Sequence, residues 1–447
     1  MTTRKHIPAG LVVHALSAIE ILDSRGLPTL DVTLRCAAHT ARASVPSGKS
    51  TGKREALELR DGDPRRFGGK GVRKAVGAVN DVIAPAMRGR PLEGRERLDA
   101  MLCALDGTPS KSRLGANAIV GVSMAAARVR AMAEGRPLYA SLGSGDAVTL
   151  PVPCFNVING GAHAPNELDF QEFMLAPAGF DTFADALRAG AETYHALARL
   201  LAEAGLNTAV GDEGGFAPAI RHPSQALDWI VRAIEAAHYR PGEQIFIALD
   251  PAANGFRDGS RYAVADARFD AAELTGMYRE WLDRYPILSI EDGIAEDDVA
   301  GWKEHTRALG SRVQIVGDDI FVSSAERVRW AISERIANAV LLKPNQIGTL
   351  SELLETVDVT RAAGYAMMVS HRSGETDDAF IADLAVALGN GQIKSGAPAR
   401  GERLAKYNRL LAIEHELGSR ARFAGHAAFR PAALAAPRRG SAAPAGV

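Results

Sequence analysis

Residues 11–45 alternate apolar and polar positions, as in Leu30-Asp-Val-Thr-Leu34, with turn residues between the runs, and predict a small set of strands. Over residues 68–139 the period lengthens and the chain reads mostly as helix. Leu114–Met132, rich in Ala and free of Pro, is the clearest stretch. From Val152 the pattern changes again. Short apolar runs of strand type alternate with helical patterns at Phe180–Ala204, Ser224–Ala237 and Thr349–Ala363, which predicts βα units on a parallel sheet. The boundary falls in Gly143–Thr149, ahead of Pro151 and Pro153. The expected organisation is an α+β domain over 1–145 that starts with an irregular tail at 1–10, a βα domain over 146–426, and an Ala/Pro/Arg/Gly-rich disordered tail over 427–447.

Charges follow the apolar runs of the second half. Ile245–Leu249 ends in Asp250, Ile287–Ile290 in Glu291, and Val313–Gly317 in Asp318. Ala339–Leu342 ends in Lys343, Tyr365–Ser370 in His371 and Arg372, and Gln392-Ile393 in Lys394. The intervals of 41, 27, 25, 28 and 23 residues are each close to one strand-plus-helix unit. In a (β/α)8 barrel the C-terminal strand ends meet at one mouth, where the chemistry sits. A single charged strand end is an ordinary loop start, but a succession of acids followed by bases points to a site. Asp250, Glu291 and Asp318 in one volume would repel one another, and a divalent cation resolves this. Ligation by oxygen alone favours Mg2+ or Mn2+ over Zn2+. Salt bridges from these acids to Lys343 and Lys394 are the plainer alternative. A lysine near a cation, a second lysine and apolar walls has the lowered pKa that a base needs. Gly211-Asp212-Glu213-Gly214-Gly215 adds an acidic turn whose glycines admit close backbone approach. Together the groups suggest proton abstraction beside a metal-bound carboxylate, with an acid helping a leaving group.

Composition narrows this only slightly. The 447 residues are 47% hydrophobic and 23% charged, and 52 Lys+Arg against 53 Asp+Glu leave a net charge of −1, which offers no footprint for nucleic acid. Three scattered cysteines, Cys36, Cys103 and Cys154, form no CxxC or disulfide framework and fit a reducing compartment. No apolar run is long enough to span a membrane. Arg4 and Lys5 before Leu11-Val-Val resemble an export signal, but His14 and Glu20 interrupt it, so export stays a minor alternative. Ala43–Ser50 fits a loosened P-loop, and Phe246–Asp250 could pose as its metal-binding strand. A P-loop must open a helix, which Pro46 and Gly52 disfavour.

These residues resemble the enolase family. The resemblance rests on Asp23–Gly26, Arg54–Asp63, Lys111–Ala118, Gln171–Met174, Val210–Gly215, Ser289–Asp292, Asn345–Gly348, Ser370-His-Arg-Ser-Gly-Glu-Thr376 and Gln392–Lys394, in order over about residues 15–425. It implies a small N-terminal α+β domain and a modified TIM-like (β/α)8 barrel whose first units depart from simple alternation. It also implies a lyase of glycolysis and gluconeogenesis that interconverts 2-phospho-D-glycerate and phosphoenolpyruvate. By that resemblance Lys343 is the base and Glu213 helps hydroxide leave, while Asp250, Glu291 and Asp318 bind a first Mg2+ and Ser50 completes a second. Lys394 balances the substrate carboxylate, Arg372 and Ser373 hold the phosphate, and His163, Gln171, Glu172 and His371 line the site. A homo-oligomer, dimeric or larger, and a cytoplasmic location are implied too, with surface or secreted forms as further alternatives. Lys49 stands where a small residue is usual, Ala162 where Ser or Glu is common, and Pro344 where a residue with an N–H is usual. Pro251 directly follows Asp250. A paralogue acting on another phosphorylated or carboxylated substrate, or a binding protein with little activity, are the competing readings.

Overall fold

The computed structural model describes residues 11–49, 51–143 and 147–429. The expected tail at 1–10, Ser50, and residues 430–447 lie outside the described residues.

The first region is an antiparallel meander of β1 (Val13–Leu22), β2 (Pro28–Cys36) and β3 (His39–Ser44). The connection from β1 to β2 is set by its own sequence. Asp23 Oδ1 accepts from the N–H of Arg25 at 2.8 Å and of Leu27 at 3.0 Å. The long helical reading over 68–139 breaks into pieces, the longer being α1 (Arg95–Asp106) and α2 (Ala116–Ala133). Gly107 and Gly115 take left-handed φ values of 72° and 94° between them, which ends one helix and starts the other. α2 lies close against the sheet, since a Cβ on Gly121 would come within 2.6 Å of Val32.

Eight strands then close a barrel: β4 (Val152–Asn159), β5 (Glu172–Ala176), β6 (Phe246–Asp250), β7 (Ile287–Glu291), β8 (Gln314–Gly317), β9 (Ala339–Leu342), β10 (Ala366–Ser370) and β11 (Gln392–Lys394). The expected departure from simple alternation is present. β5 runs antiparallel to both β4 and β6, and two helices, α3 (Phe183–Glu203) and α4 (Pro223–Ala236), separate β5 from β6. The remaining neighbours pair in parallel, and β11 closes on β4.

Side chains facing the barrel axis recur every second residue, as the pleat requires. The lower part of this inward set is apolar: Val152, Cys154, Met174, Ala176, Phe246, Ala248, Val316, Ala339, Leu341 and Met368 form one buried cluster. Two residues further along the same strands the inward positions become Asp250, Asp318 and Lys343. Phe429 joins the apolar cluster at 3% exposure, and Gln392 Nε2 donates to the carbonyl of Ala428 at 2.7 Å. The chain is therefore packed through residue 429, past the start expected for the tail at 427. Its small residues hid one anchoring Phe.

Candidate functional site

Of the strand-end charges, Glu291 is buried against Lys394, and the others meet in one cavity at the mouth. It is lined by His163, Gln171, Glu172, Glu213, Asp250, Asp292, Asp318, Asp319, Lys343, His371, Arg372, Ser373 and Lys394. β5 reaches this mouth with its first residue. Because it runs in reverse, Glu172 pairs in register with Asn159 on one side and Asp250 on the other. The rule that chemistry sits at C-terminal strand ends, applied to the bare sequence, could not find Glu172 or Gln171.

The acids and lysines pair as the plainer alternative expected. Lys394 Nζ donates to Glu291 at 2.9 Å, Asp250 at 3.0 Å and Glu172 at 3.3 Å. Burial opposes its charge, but these three carboxylates outweigh burial and hold its pKa well above the ordinary range. Lys343 Nζ donates to Asp318 Oδ2, and Gln346 Nε2 donates to Asp318 Oδ1 at 2.8 Å. Burial lowers the Lys343 pKa, yet Asp318 reverses this and the net shift is upward. Asp318 is raised by burial and lowered more by Lys343 and Lys394.

Two lysines do not neutralise this mouth. Burial and the neighbouring Asp250 push Glu291 well above the usual carboxylate range, and burial with Glu213 does the same to Glu172. Glu291 Oε2 is buried with no hydrogen-bond partner. An orphaned oxygen among mutually repelling carboxylates fits a hard divalent cation. Among the described residues, possible ligand atoms lie within 4.8 Å of one another in His163/Glu172/Glu213 and in Asp292/Asp318/Asp319. In the second, both oxygens of Asp292 already carry a hydrogen bond. They accept from the N–H of Asp318 and of Asp319, each at 2.9 Å. The expected trio differs from both groups: Asp250 and Glu291 share Lys394, while Asp318 sits on Lys343.

The acidic turn behaves as its glycines suggested. Gly214 takes φ 88°, and a Cβ on Gly211 would lie 2.7 Å from the His163 carbonyl. Glu213 Oε2 accepts from Asn156 Nδ2 at 3.0 Å and sits 3.3 Å from His371 Nε2. His163 Nδ1 lies 3.6 Å from Glu213 and 3.7 Å from Glu172. Arg403 Nη1 contacts His371 Nδ1 at 2.6 Å. A guanidinium only donates, so Nδ1 accepts and the His371 proton resides on Nε2, aimed at Glu213. Burial holds His371 neutral, with its pKa pushed down to about 4, and also lowers His163. Burial works against the charge on Glu213, but the two imidazoles and Arg403 hold it well below the usual range. His371, being neutral, acts on Glu213 as a donor through Nε2.

Arg372 is gripped from the first domain. Its Nη1 and Nη2 donate to the two oxygens of Glu55 at 3.0 and 3.1 Å, a two-pronged pair. Gln346 Nε2 also reaches Glu55, at 3.3 Å, so Glu55 and Gln346 join Arg372 to Asp318. Glu55, Gln346 and Asp292 lie inside segments that carry the family resemblance, yet their parts were not readable. Arg403 had no sequence signal, since the spacing within the helix Gly401–Leu417 cannot by itself place an arginine under His371.

The segment after β3 enters no helix, so the P-loop reading fails. It crosses the mouth instead. Ser47 and Gly374 exchange backbone hydrogen bonds at 2.8 and 2.9 Å, and the Lys49 N–H donates to Ser373 Oγ at 2.9 Å. Ser50 lies outside the described residues. Pro344 takes the first position of the one-turn helix Pro344–Ile347, where a missing N–H costs nothing. Ala162 is exposed in the turn Gly161–His163, and Pro251 is buried after β6. Among the described residues no helix is long and apolar enough to cross a membrane.

Comparison with known proteins agrees with this architecture. The family model "Enolase, N-terminal domain" matches residues 13–142, and "Enolase, C-terminal TIM barrel domain" matches residues 147–432. Enolase 2 of Pseudomonas syringae pv. syringae is 54% identical over 422 residues, covering 93% of this chain and 99% of that protein. The enolase of Acidothermus cellulolyticus is 55% identical over 419 residues, covering 94% and 97%. Enolase 1 of Methylococcus capsulatus is 52% identical over 415 residues, covering 92% and 99%. With a first domain and a barrel both matched, and relatives this similar along nearly their whole length, the chain belongs to the enolase family of enzymes.

Proposed function

We propose that this enzyme reversibly converts 2-phospho-D-glycerate to phosphoenolpyruvate and water, with Mg2+ as cofactor. The observation that carries the reading is a buried lysine and a buried glutamate at separate points of one acid-rich cavity. Lys343 follows β9, while Glu213 hydrogen-bonds Asn156 of β4, three strands round the ring. Lys343, as the neutral amine, takes the proton from C2. The hydroxide leaves C3 as water, taking a proton from Glu213 as the acid. Lys394 faces the substrate carboxylate, and Arg372 and Ser373 hold the phosphate. His163, Gln171 and His371 shape the pocket around them.

Asp250, Glu291 and Asp318 would hold the first Mg2+, and Ser50 would contribute to a second with substrate bound. When bound, Mg2+ supplies positive charge against the substrate carboxylate and takes the Asp318 charge away from Lys343, which lowers the lysine pKa. The orphaned Glu291 Oε2 and the raised Glu291 support that assignment. The same reading carries a homo-oligomer and a cytoplasmic location. The test is the absorbance of phosphoenolpyruvate formed from 2-phosphoglycerate. Activity with Mg2+ and none with EDTA is expected, and no product in the presence of Mg2+ would sink the reading.

A further inference from the structure

The departure at Lys49 has a partner in the structure. The Lys49 side chain is partly exposed, and its Nζ is paired. It donates to Asp212 Oδ2 at 2.8 Å, from the segment after β3 to the acidic turn that carries Glu213. The receiving end is fixed: the Asp212 N–H donates to the His163 carbonyl at 3.2 Å, and Arg403 Nη2 donates to the Asp212 carbonyl at 3.0 Å. The donor end is tied as well, through the Lys49 N–H on Ser373 Oγ. Next to it, a Cβ on Gly48 would fall 2.1 Å from Arg372 Nη2, so the backbone passes directly over the guanidinium. At the far end of the segment Lys53 pairs with Asp297, and Arg54 Nη1 lies 3.8 Å from Glu296.

We propose that Lys49 is a positioning residue whose ion pair with Asp212 fastens the segment Pro46–Lys49 across the mouth and thereby holds it on Ser373 beside Glu213. The inference deepens the proposed function and rests on it for the meaning of Ser373 and Glu213. The pair itself does not. The Lys49 side chain is 44% exposed and that of Asp212 27%, so the contact is screened by salt and modest in strength. Its effect is to raise the fraction of molecules whose segment is in place before substrate arrives. A fully populated closed segment binds without the penalty of a minor conformer, so the loss should fall on KM rather than kcat.

Hydrogen exchange of the peptide spanning 46–56 in the substrate-free protein is the direct measurement. Lys49→Ala and Asp212→Asn should each speed exchange about two- to fivefold at low salt, the range of an exposed pair. The double variant should be no faster than either single, Lys49→Arg should restore protection, and salt on the order of 0.5 M should bring wild type to the level of the variants. Unchanged exchange in the single variants, or fully multiplicative effects in the double, would overturn the pairing. The second measurement is KM for 2-phosphoglycerate in Lys49→Ala, expected to rise by a similar factor at constant kcat. A shift in exchange in a protein that does not turn over 2-phosphoglycerate at all keeps the pair and removes the function reading. Altered exchange with KM unchanged removes the positioning role.

Discussion

The mouth and the floor of the barrel are built on the same strands, two residues apart, and they solve opposite problems. At the floor the inward polar groups satisfy one another. Gln314 Nε2 donates to Ser289 at 3.0 Å and to Gln392 at 2.8 Å, Gln392 donates back to Gln314 at 2.8 Å, and Phe429 seals the apolar layer beside them. No charge is buried in that network. At the mouth, acids crowd around two lysines, Glu291 Oε2 has no partner, and burial with mutual repulsion raises Glu291 and Glu172. The floor is saturated and closed. The mouth is left electrostatically incomplete within the chain's own side chains, which is what a site that accepts a cation and an anionic ligand requires. The difference teaches that local stability and local function are segregated along each strand by a single step of the pleat.

The largest effect on this contrast should come from Lys343→Ala. It removes the base while the floor is untouched, so kcat for 2-phosphoglycerate should fall by about 10²–10⁴-fold or more with KM little changed. Near-normal kcat would take Lys343 out of the base role. Phe429→Ala attacks the other end. Opening a void in the sealed layer should cost about 3–5 kcal/mol of stability, read by denaturant unfolding, with kcat intact in the folded protein. An unchanged midpoint would mean that the floor does not depend on this plug. The smallest and sharpest change is Glu291→Gln. It keeps an acceptor for Lys394 but removes a buried charge that repels Asp250. Tm in EDTA should hold or rise, and the Mg2+ concentration needed to raise Tm should increase about tenfold or more. A Mg2+ response equal to wild type would remove Glu291 from the metal site.

Much of the barrel was legible because its code is local. Short apolar runs such as Ile287–Ile290 and Ala339–Leu342 mark the strands, and the charge that follows each run marks where its strand meets the mouth. That logic located Asp250, Glu291, Asp318, Lys343 and Lys394. It was blind to Glu172, because a reversed strand presents its beginning at the mouth, and strand direction is decided by which neighbours it pairs with. It missed the grip of Glu55 on Arg372, which joins residues 317 positions apart. It also took Phe429 for part of a featureless tail.

What the linear chain decides for itself is therefore periodic and short-range: where strands and helices lie, which side chains share a face, and that acids and bases end successive strands. The pairing of those charges was decided only by closure of the barrel and docking of the first domain on it. Lys394 among three carboxylates, Asp318 between Lys343 and Gln346, and Lys49 on Asp212 all join residues from separate elements. The reason is physical. Backbone sterics and the pleat act over a few residues, whereas a charge answers to whatever lies within a few ångström, and only the folded chain fixes that distance.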